Sequence, residues 1–231
     1  MSHPLDNPIR ASLDSRHAAL ALRSGGVARY PADVAPFLGV ADAARDVEAA
    51  LDVLVPQGDR VYAIGVAPQV ARGWQLRHLA ELAQMVCPAP VDAGDARDAS
   101  DIVELGDRHR SDVLELTALV YPHYFRPQTM RLGRYFGLYR DGRLAAMIGE
   151  RMGTDDWQEI SAVCTHPDQL GQGHARRLLA WLTNDVLASG RTPFLHVSPD
   201  NHRALRLYEQ NGYRTRRGIP FWSLRRIACA D

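Results

Sequence analysis

The sequence predicts an α+β fold: a mixed sheet flanked by helices, with a smaller α/β N-terminal domain. Three observations carry this. From residue 101 onward, short apolar runs are interleaved with stretches of helical periodicity. Arg140-Asp141-Gly142-Arg143 separates two apolar runs, 135–139 and 144–148, and Asp-Gly in that setting is a strong hairpin signal. The resulting order, β-α-β-β-β-α-β-α-β, lacks the strict strand–helix alternation of a doubly wound parallel sheet.

At 231 residues the chain can hold one large domain or two small ones. Residues 89–100 are poor in large apolar groups and rich in Asp, Ala, Gly and Pro, the composition of a linker. The expected division is a domain over residues 1–90 and another over residues 100–231. In the first, residues 13–22 are expected as a helix, with Ala18, Leu20, Ala21 and Leu22 supplying apolar contacts. Asp42 is the expected N-cap of a second helix, since Ala44, Val47, Ala50, Leu51 and Leu54 recur at helical spacing. Residues 60–66 form a short buried strand after the turn Pro56-Gln57-Gly58-Asp59. Residues 79–87 fit helix and strand alike. This half carries no catalytic constellation and is expected to cover a sheet edge and shape a substrate mouth.

The second part reads element by element. Ile102-Val103-Glu104-Leu105 is a strand. Residues 108–120 are helical, with Val113, Leu116, Leu119 and Val120 on one face, until Pro122 and Pro127 break the pattern. The hairpin follows, then a strand over 157–165, a helix over 173–188, a strand over 194–197, a helix over 201–211 and a last strand around 220–224.

Composition narrows the function classes. Basic and acidic residues balance at 27 each, which leaves no electrostatic footprint for nucleic acid or an anionic membrane. Every basic residue is Arg, so Schiff-base or general-base chemistry on Lys is excluded. Cys87, Cys164 and Cys229 are odd in number and widely spaced, which suits a reducing cytoplasm. No signal-peptide pattern opens the chain, and no apolar run is long enough to span a membrane. The nine histidines form no metal-ligand spacing, so no metal is expected.

The chemistry concentrates between Trp157 and Tyr213. The strand over 157–165 leads through His166-Pro167-Asp168-Gln169-Leu170 into Gly171-Gln172-Gly173-His174-Ala175-Arg176 and a helix. A glycine turn at that place presents unpaired backbone N–H groups at the positive end of the helix dipole, a seat for a pyrophosphate. A Walker loop is excluded because it needs Gly-Lys-Ser/Thr. The dinucleotide fingerprint fails because Arg176 stands where a third Gly or Ala belongs. Downstream lie Asn201, Ala204, Leu207, Tyr208 and Gly212-Tyr213, with Asn201 and Tyr208 two turns apart on one helix face.

This order of parts resembles the GNAT superfamily of acetyl-CoA-dependent N-acetyltransferases over residues 102–224, and within it a bacterial branch with an extra, motif-less N-terminal half. The resemblance implies a GNAT-like, mostly antiparallel sheet. It implies direct transfer from acetyl-CoA, a co-substrate, to a primary amine on a small-molecule or peptide acceptor. Main-chain groups of Gly171, Gln172, Gly173, His174, Ala175 and Arg176 would seat the pyrophosphate, with Arg177 also near phosphate charge. Asn201 would hold the pantetheine arm, and Val163, Cys164 and Thr165 would offer backbone groups to the pantetheine and the thioester carbonyl. Tyr208 would lie near the sulfur, where a phenol at about 10 can protonate a thiolate whose conjugate acid is at about 8.5. Glu159 is the candidate general base, set against the reading of an ion-paired carboxylate, and Glu150 is a second candidate. The family pattern has Arg or Gln three residues before Gly173, where this chain has Leu170. Cys164 reads as a buried small thiol rather than a nucleophile. His196 reads as a cleft or core histidine, and residues 121–126 as an acceptor mouth or a proline-rich corner.

The alternatives are a degenerate, non-catalytic acyl-CoA-binding module, which would bind acetyl-CoA without turnover, and a regulatory module whose N-terminal half is the active surface, which would bind no coenzyme A species. Acceptor identity, acyl-chain length and oligomeric state, a homodimer included, are left open, because acceptor walls come from loops.

Overall fold

Asp141 and Gly142 both take positive φ, 50° and 75°, as a two-residue type I′ hairpin requires. They join β7 (Tyr135–Arg140) to β8 (Arg143–Gly153), with Arg140 opposite Arg143. The computed structural model describes residues 3–41, 47–70, 72–92, 99–120 and 122–227. Among these, the hairpin sits in an eight-stranded sheet whose other strands are β4 (Arg60–Ile64), β5 (Trp74–Val86), β6 (Ile102–Leu105), β9 (Trp157–Thr165), β10 (Thr192–Val197) and β11 (Arg214–Arg226). The spatial order is β4-β11-β5-β10-β9-β8-β7-β6. Only β9 and β10 run parallel; the other neighbours are antiparallel. The α+β architecture and mostly antiparallel sheet agree with the sequence.

Alternation along β8 sends side chains to two separate cores. Ala146 and Ile148 join Leu178, Leu179, Leu182 and Val186 of α4 (His174–Ala188) and Tyr208 of α5 (His202–Gln210). Met147 joins Leu105, Cys164, and Val113 and Leu116 of α3 (Arg110–Val120). Each fully buried leucine contributes about 1.5–3 kcal/mol, so the helical stripes hold both faces of the sheet.

The N-terminal residues depart from expectation in instructive ways. In place of one helix over 13–22 there is α1 (Pro8–Asp14), a 3-10 turn at Ala18–Leu20 and β1 (Leu22–Ser24). Pro8 starts the helix, and His17 ends the option of continuing it by turning inward. The His17 ring bonds Tyr30 Oη at 2.8 Å, Ser12 Oγ at 3.0 Å and the Leu132 carbonyl at 2.9 Å. Strand β1 pairs with β2 (Val27–Arg29), which pairs with β3 (Leu38–Val40) in a small second sheet. Helix α2 (Glu48–Leu54) follows Val47, and the expected N-cap Asp42 lies outside the described residues.

The sheet also crosses the expected boundary at residues 90–100. β5 lies between β11 and β10, so a strand from before the linker composition fills the middle of the sheet. Its sequence gave no clean period because both faces of its C-terminal end are covered: Gln84 and Met85, on opposite faces, are both buried. β11 extends well beyond the expected 220–224, and a bulge between Thr215 and Arg217 absorbs its polar start.

Candidate functional site

β9 and β10 pair over only three positions, Thr192↔Trp157, Pro193↔Gln158 and Phe194↔Glu159. Past Phe194 the described residues show no further pairing, and the two strands part. On its other side β9 carries a bulge: Met147 faces Cys164 while Gly149 faces Ser161, so one extra residue is absorbed at Ala162 and Val163. Ala162 holds φ at 51°, a strained value for an alanine, costing about 1–2 kcal/mol. The strain lies on the wall of a cleft, where it redirects main-chain groups. That cleft consists of two adjoining cavities of about 490 Å³ each, which share Val120, Val163, Asn201, Ala204 and Tyr208. Ile160 to Cys164 form one wall of the first cavity and His196 to Ser198 the other.

The second cavity opens on the glycine turn. Gly171 and Gly173 hold φ at 81° and 77°, which L side chains rarely adopt, and a Cβ at either would meet nothing in the protein. The backbone therefore needs glycine for its path, and open space lies in front of it. Arg177 N bonds the Gly173 carbonyl, and Leu170 N bonds Pro167. Among the described residues the amides of 171–176 have no acceptor, and Gly171, Gln172 and Gly173 are exposed. These are the donors a diphosphate would take. Thr165, Gly171, Gly173, His174, Ala175 and Arg176 line this cavity, and exposed Leu170 adds an apolar contact where a polar side chain was expected. Gln172 is exposed and does not line it.

Arg176 is exposed at the turn. Arg177 is not available to phosphate in the same way: Asp101 takes both its Nη groups, and the Arg177 and Arg140 guanidinium groups hold that carboxyl far below the usual range. Arg203 and Arg206 of α5 also line the cavity, and sequence reasoning missed them. Their signal was the exposed stripe 203, 206, 210 at helical spacing beside the Asn201 face.

Tyr208 is buried and lines both cavities. Its neighbour Tyr213 bonds Thr183 Oγ1 at 2.8 Å and packs 6.1 Å away, fixing that corner of the helix. Asn201 also lines both cavities, and its Oδ1 accepts from Ala204 N at 3.1 Å as the N-cap of α5. Its carbonyl is thus committed, which leaves the Nδ2 amide as its donor toward the cleft. Val163 and Cys164 lie on the β9 wall. Burial pushes the Cys164 thiol up to about 12, so it is a neutral packing group.

Glu159 is the clearest correction. It is wholly buried and does not line the cleft. Arg151 grips it at 2.7 and 2.6 Å, His196 Nδ1 lies at 2.7 Å, and Met152 N donates at 3.3 Å. Burial pushes its pKa up, but Arg151 and His196 prevail and bring it down to about 2. A carboxylate that weakly basic and that enclosed does not collect a proton from an acceptor; it holds Arg151 and His196, which do line the cleft. His196 is both things the sequence allowed. With Nδ1–H directed at Glu159, its Nε2 accepts from Gln84 Nε2 at 3.0 Å, and that amide also donates to the Leu5 carbonyl. Glu150 is likewise buried, paired with Arg134 at 2.6 Å and away from the cleft. Of residues 121–126, Tyr124 reaches the cleft, Phe125 packs on Tyr135, and Tyr121 lies outside the described residues.

A parallel pair of strands that splits beside a strained bulge, with a helix N-terminus of unpaired amides on the adjoining cavity, gives a cleft suited to a phosphate-bearing ligand. Comparison with known proteins agrees. The FR47-like protein family model matches residues 135–222. A GNAT-family protein from Novosphingobium aromaticivorans is 32% identical, with a TM-score of 0.87, over 98% of this chain and 100% of that one. The chain belongs to the GNAT family, and the likeness runs through its N-terminal half as well. GCN5-related N-acetyltransferase structures share the fold: one from Kribbella flavida at 15% identity and TM-score 0.59, covering 93% of this chain and 91% of that one. The other, an N-acetyltransferase-like protein from Streptococcus suis, has 15% identity and TM-score 0.57, covering 94% of each chain. No curated protein matches the sequence. No described helix is long and apolar enough to cross a membrane, and no group of three or more His, Cys, Asp or Glu among the described residues could hold a metal ion.

Proposed function

We propose that this protein moves an acetyl group from acetyl-CoA directly to a primary amine. The observation that carries the reading is the set of unpaired amides at residues 171–176 beside the cavity that adjoins the gap between β9 and β10. Those amides, with Arg176, Arg203 and Arg206, hold the phosphate groups. Asn201 Nδ2 and the redirected main chain at Val163, Cys164 and Thr165 orient the pantetheine arm and the thioester carbonyl. The amine nitrogen bonds the thioester carbon, the C–S bond breaks, Tyr208 gives its proton to the departing thiolate, and the proton shed by the nitrogen as the amide forms restores the phenol. No described carboxylate lines the first cavity, so the amine reaches the thioester already as the free base. Removal from water lowers the pKa of an ammonium group and favours that form. The buried, reduced Cys87 and Cys164 fit a cytoplasmic setting.

Acetyl-CoA should raise the melting temperature, and pooled primary amines should then release coenzyme A thiol. Absence of both stabilisation and thiol release would sink the reading. A non-catalytic acyl-CoA-binding module is the second reading, favoured by Leu170 and by the withdrawal of Glu159 from the cleft; stabilisation without thiol release is its signature.

A further inference from the structure

Resting on the transfer reading, the geometry points to an acceptor whose amine sits on an apolar, aromatic body with no second positive charge. Beyond His196 the first cavity is walled by Phe37, Ile64, Leu79, Leu82, Tyr124 and Phe221. The rings support one another through Tyr62 behind them. Tyr62 stacks on Phe221 at 5.5 Å and meets Tyr124 edge-on at 5.1 Å, while Phe37 stacks on Tyr124 at 6.2 Å. A wall so braced offers fixed faces and edges, and it rewards a flat apolar group both by area and by ring geometry.

The charges facing this space point the same way. Arg151 lines it, with its guanidinium 4.9 Å from the Phe37 ring centre. The carboxylate that holds Arg151, Glu159, is buried behind it and reaches no ligand. Among the described lining residues there is no carboxylate. A polyamine or an aminoglycoside would bring extra ammonium groups beside a guanidinium whose counter-charge, Glu159, is already committed to it, with no carboxylate among the described lining residues to receive them, and they would lose their hydration without replacement. A lone amine on an aromatic body has only one ammonium to give up, and the apolar enclosure drives it to the reactive neutral form. Leu79 and Val120, 46% and 38% exposed, carry the apolar character out to the mouth.

The test uses full-length protein saturated with acetyl-CoA, with 2-phenylethylamine as the aromatic probe and spermidine and kanamycin as the polycationic probes. Thiol release should favour 2-phenylethylamine in kcat/KM by at least about tenfold, the scale of discrimination one apolar contact surface gives. Equilibrium dialysis with coenzyme A present should show 2-phenylethylamine bound and spermidine free. Leu79→Glu, at an exposed site, places a carboxylate at the mouth. It should lower the preference by about fivefold or more while acetyl-CoA stabilisation is kept. Equal or better turnover of spermidine or kanamycin, or no turnover and no binding of 2-phenylethylamine by protein that acetyl-CoA stabilises, overturns the acceptor inference alone. Absence of any acetyl-CoA stabilisation overturns the transfer reading beneath it.

Discussion

The proposed phosphate end of the cleft is built on the main chain of one run of six residues, 171–176, at the start of α4, with the arginines of α5 beside it. The proposed acceptor end is side chains from β4, β5, β11, the segment before β3 and the loop after α3. Main-chain recognition demands a particular backbone path, and a path demands glycine, so it leaves a local mark in sequence. Side-chain recognition demands only that apolar groups from distant elements converge. Each of those groups is an ordinary core residue in its own neighbourhood. Between the two ends lies Glu159, a candidate base in the sequence and, in the fold, the buried scaffold that holds Arg151 and His196.

Replacing that scaffold is expected to have the largest effect. Glu159→Gln leaves the Arg151 guanidinium buried without its counter-charge and should cost about 3–5 kcal/mol in denaturant unfolding. The folded pKa of Glu159, about 2, lies below the value of about 4.3 expected in the unfolded chain. Below about pH 4.3 the unfolded state therefore binds a proton that the folded state refuses. The contribution is full above that pH and is lost as pH falls toward 2. Wild type should lose stability across this window more steeply than Glu159→Gln. If Glu159→Gln unfolds like wild type but turns over far more slowly, the residue belongs to the chemistry and the contrast drawn above fails.

Tyr208→Phe should lower kcat about 100-fold, near 2.7 kcal/mol, with acetyl-CoA affinity unchanged. An equal loss in affinity would make Tyr208 a wall rather than a proton donor. Gly173→Val forces a β-branched residue to a φ of 77° and should weaken coenzyme A binding. The loss should be about 30-fold, near 2 kcal/mol, in a calorimetric titration. Unaltered binding would mean that side chains, not the backbone path, hold the phosphates. Asn201→Asp keeps the N-cap acceptor and loses the Nδ2 donor. It should leave the melting temperature alone and weaken acetyl-CoA by about fivefold, near 1 kcal/mol.

Legibility followed the same division. The hairpin at Asp141-Gly142, helices α3 to α5 and strands β6 to β10 were readable because turn chemistry and periodicity agreed locally. That the glycine turn, Asn201 and Tyr208 share one part of the chain was readable for the same reason, and the fold places them on one cleft. β5 was not readable, since its C-terminal end is covered on both faces and loses its alternation there, and with it went the fact that a strand of the N-terminal half fills the middle of the sheet. Glu159 was placed on the correct strand but in the wrong company. Its partners lie at 151 on β8 and 196 on β10, and no local spacing announces a buried ion pair between strands. Arg203 and Arg206 could have been found, since their helical stripe shares a helix with Asn201.

Amide chemical shifts of isotopically labelled protein, followed while coenzyme A is added, probe the claim most directly. The largest changes should fall on the backbone amides of 171–176, followed by those of the β9 wall from Ser161 to Thr165. Saturable binding that leaves 171–176 unmoved, or no binding at all, would contradict it.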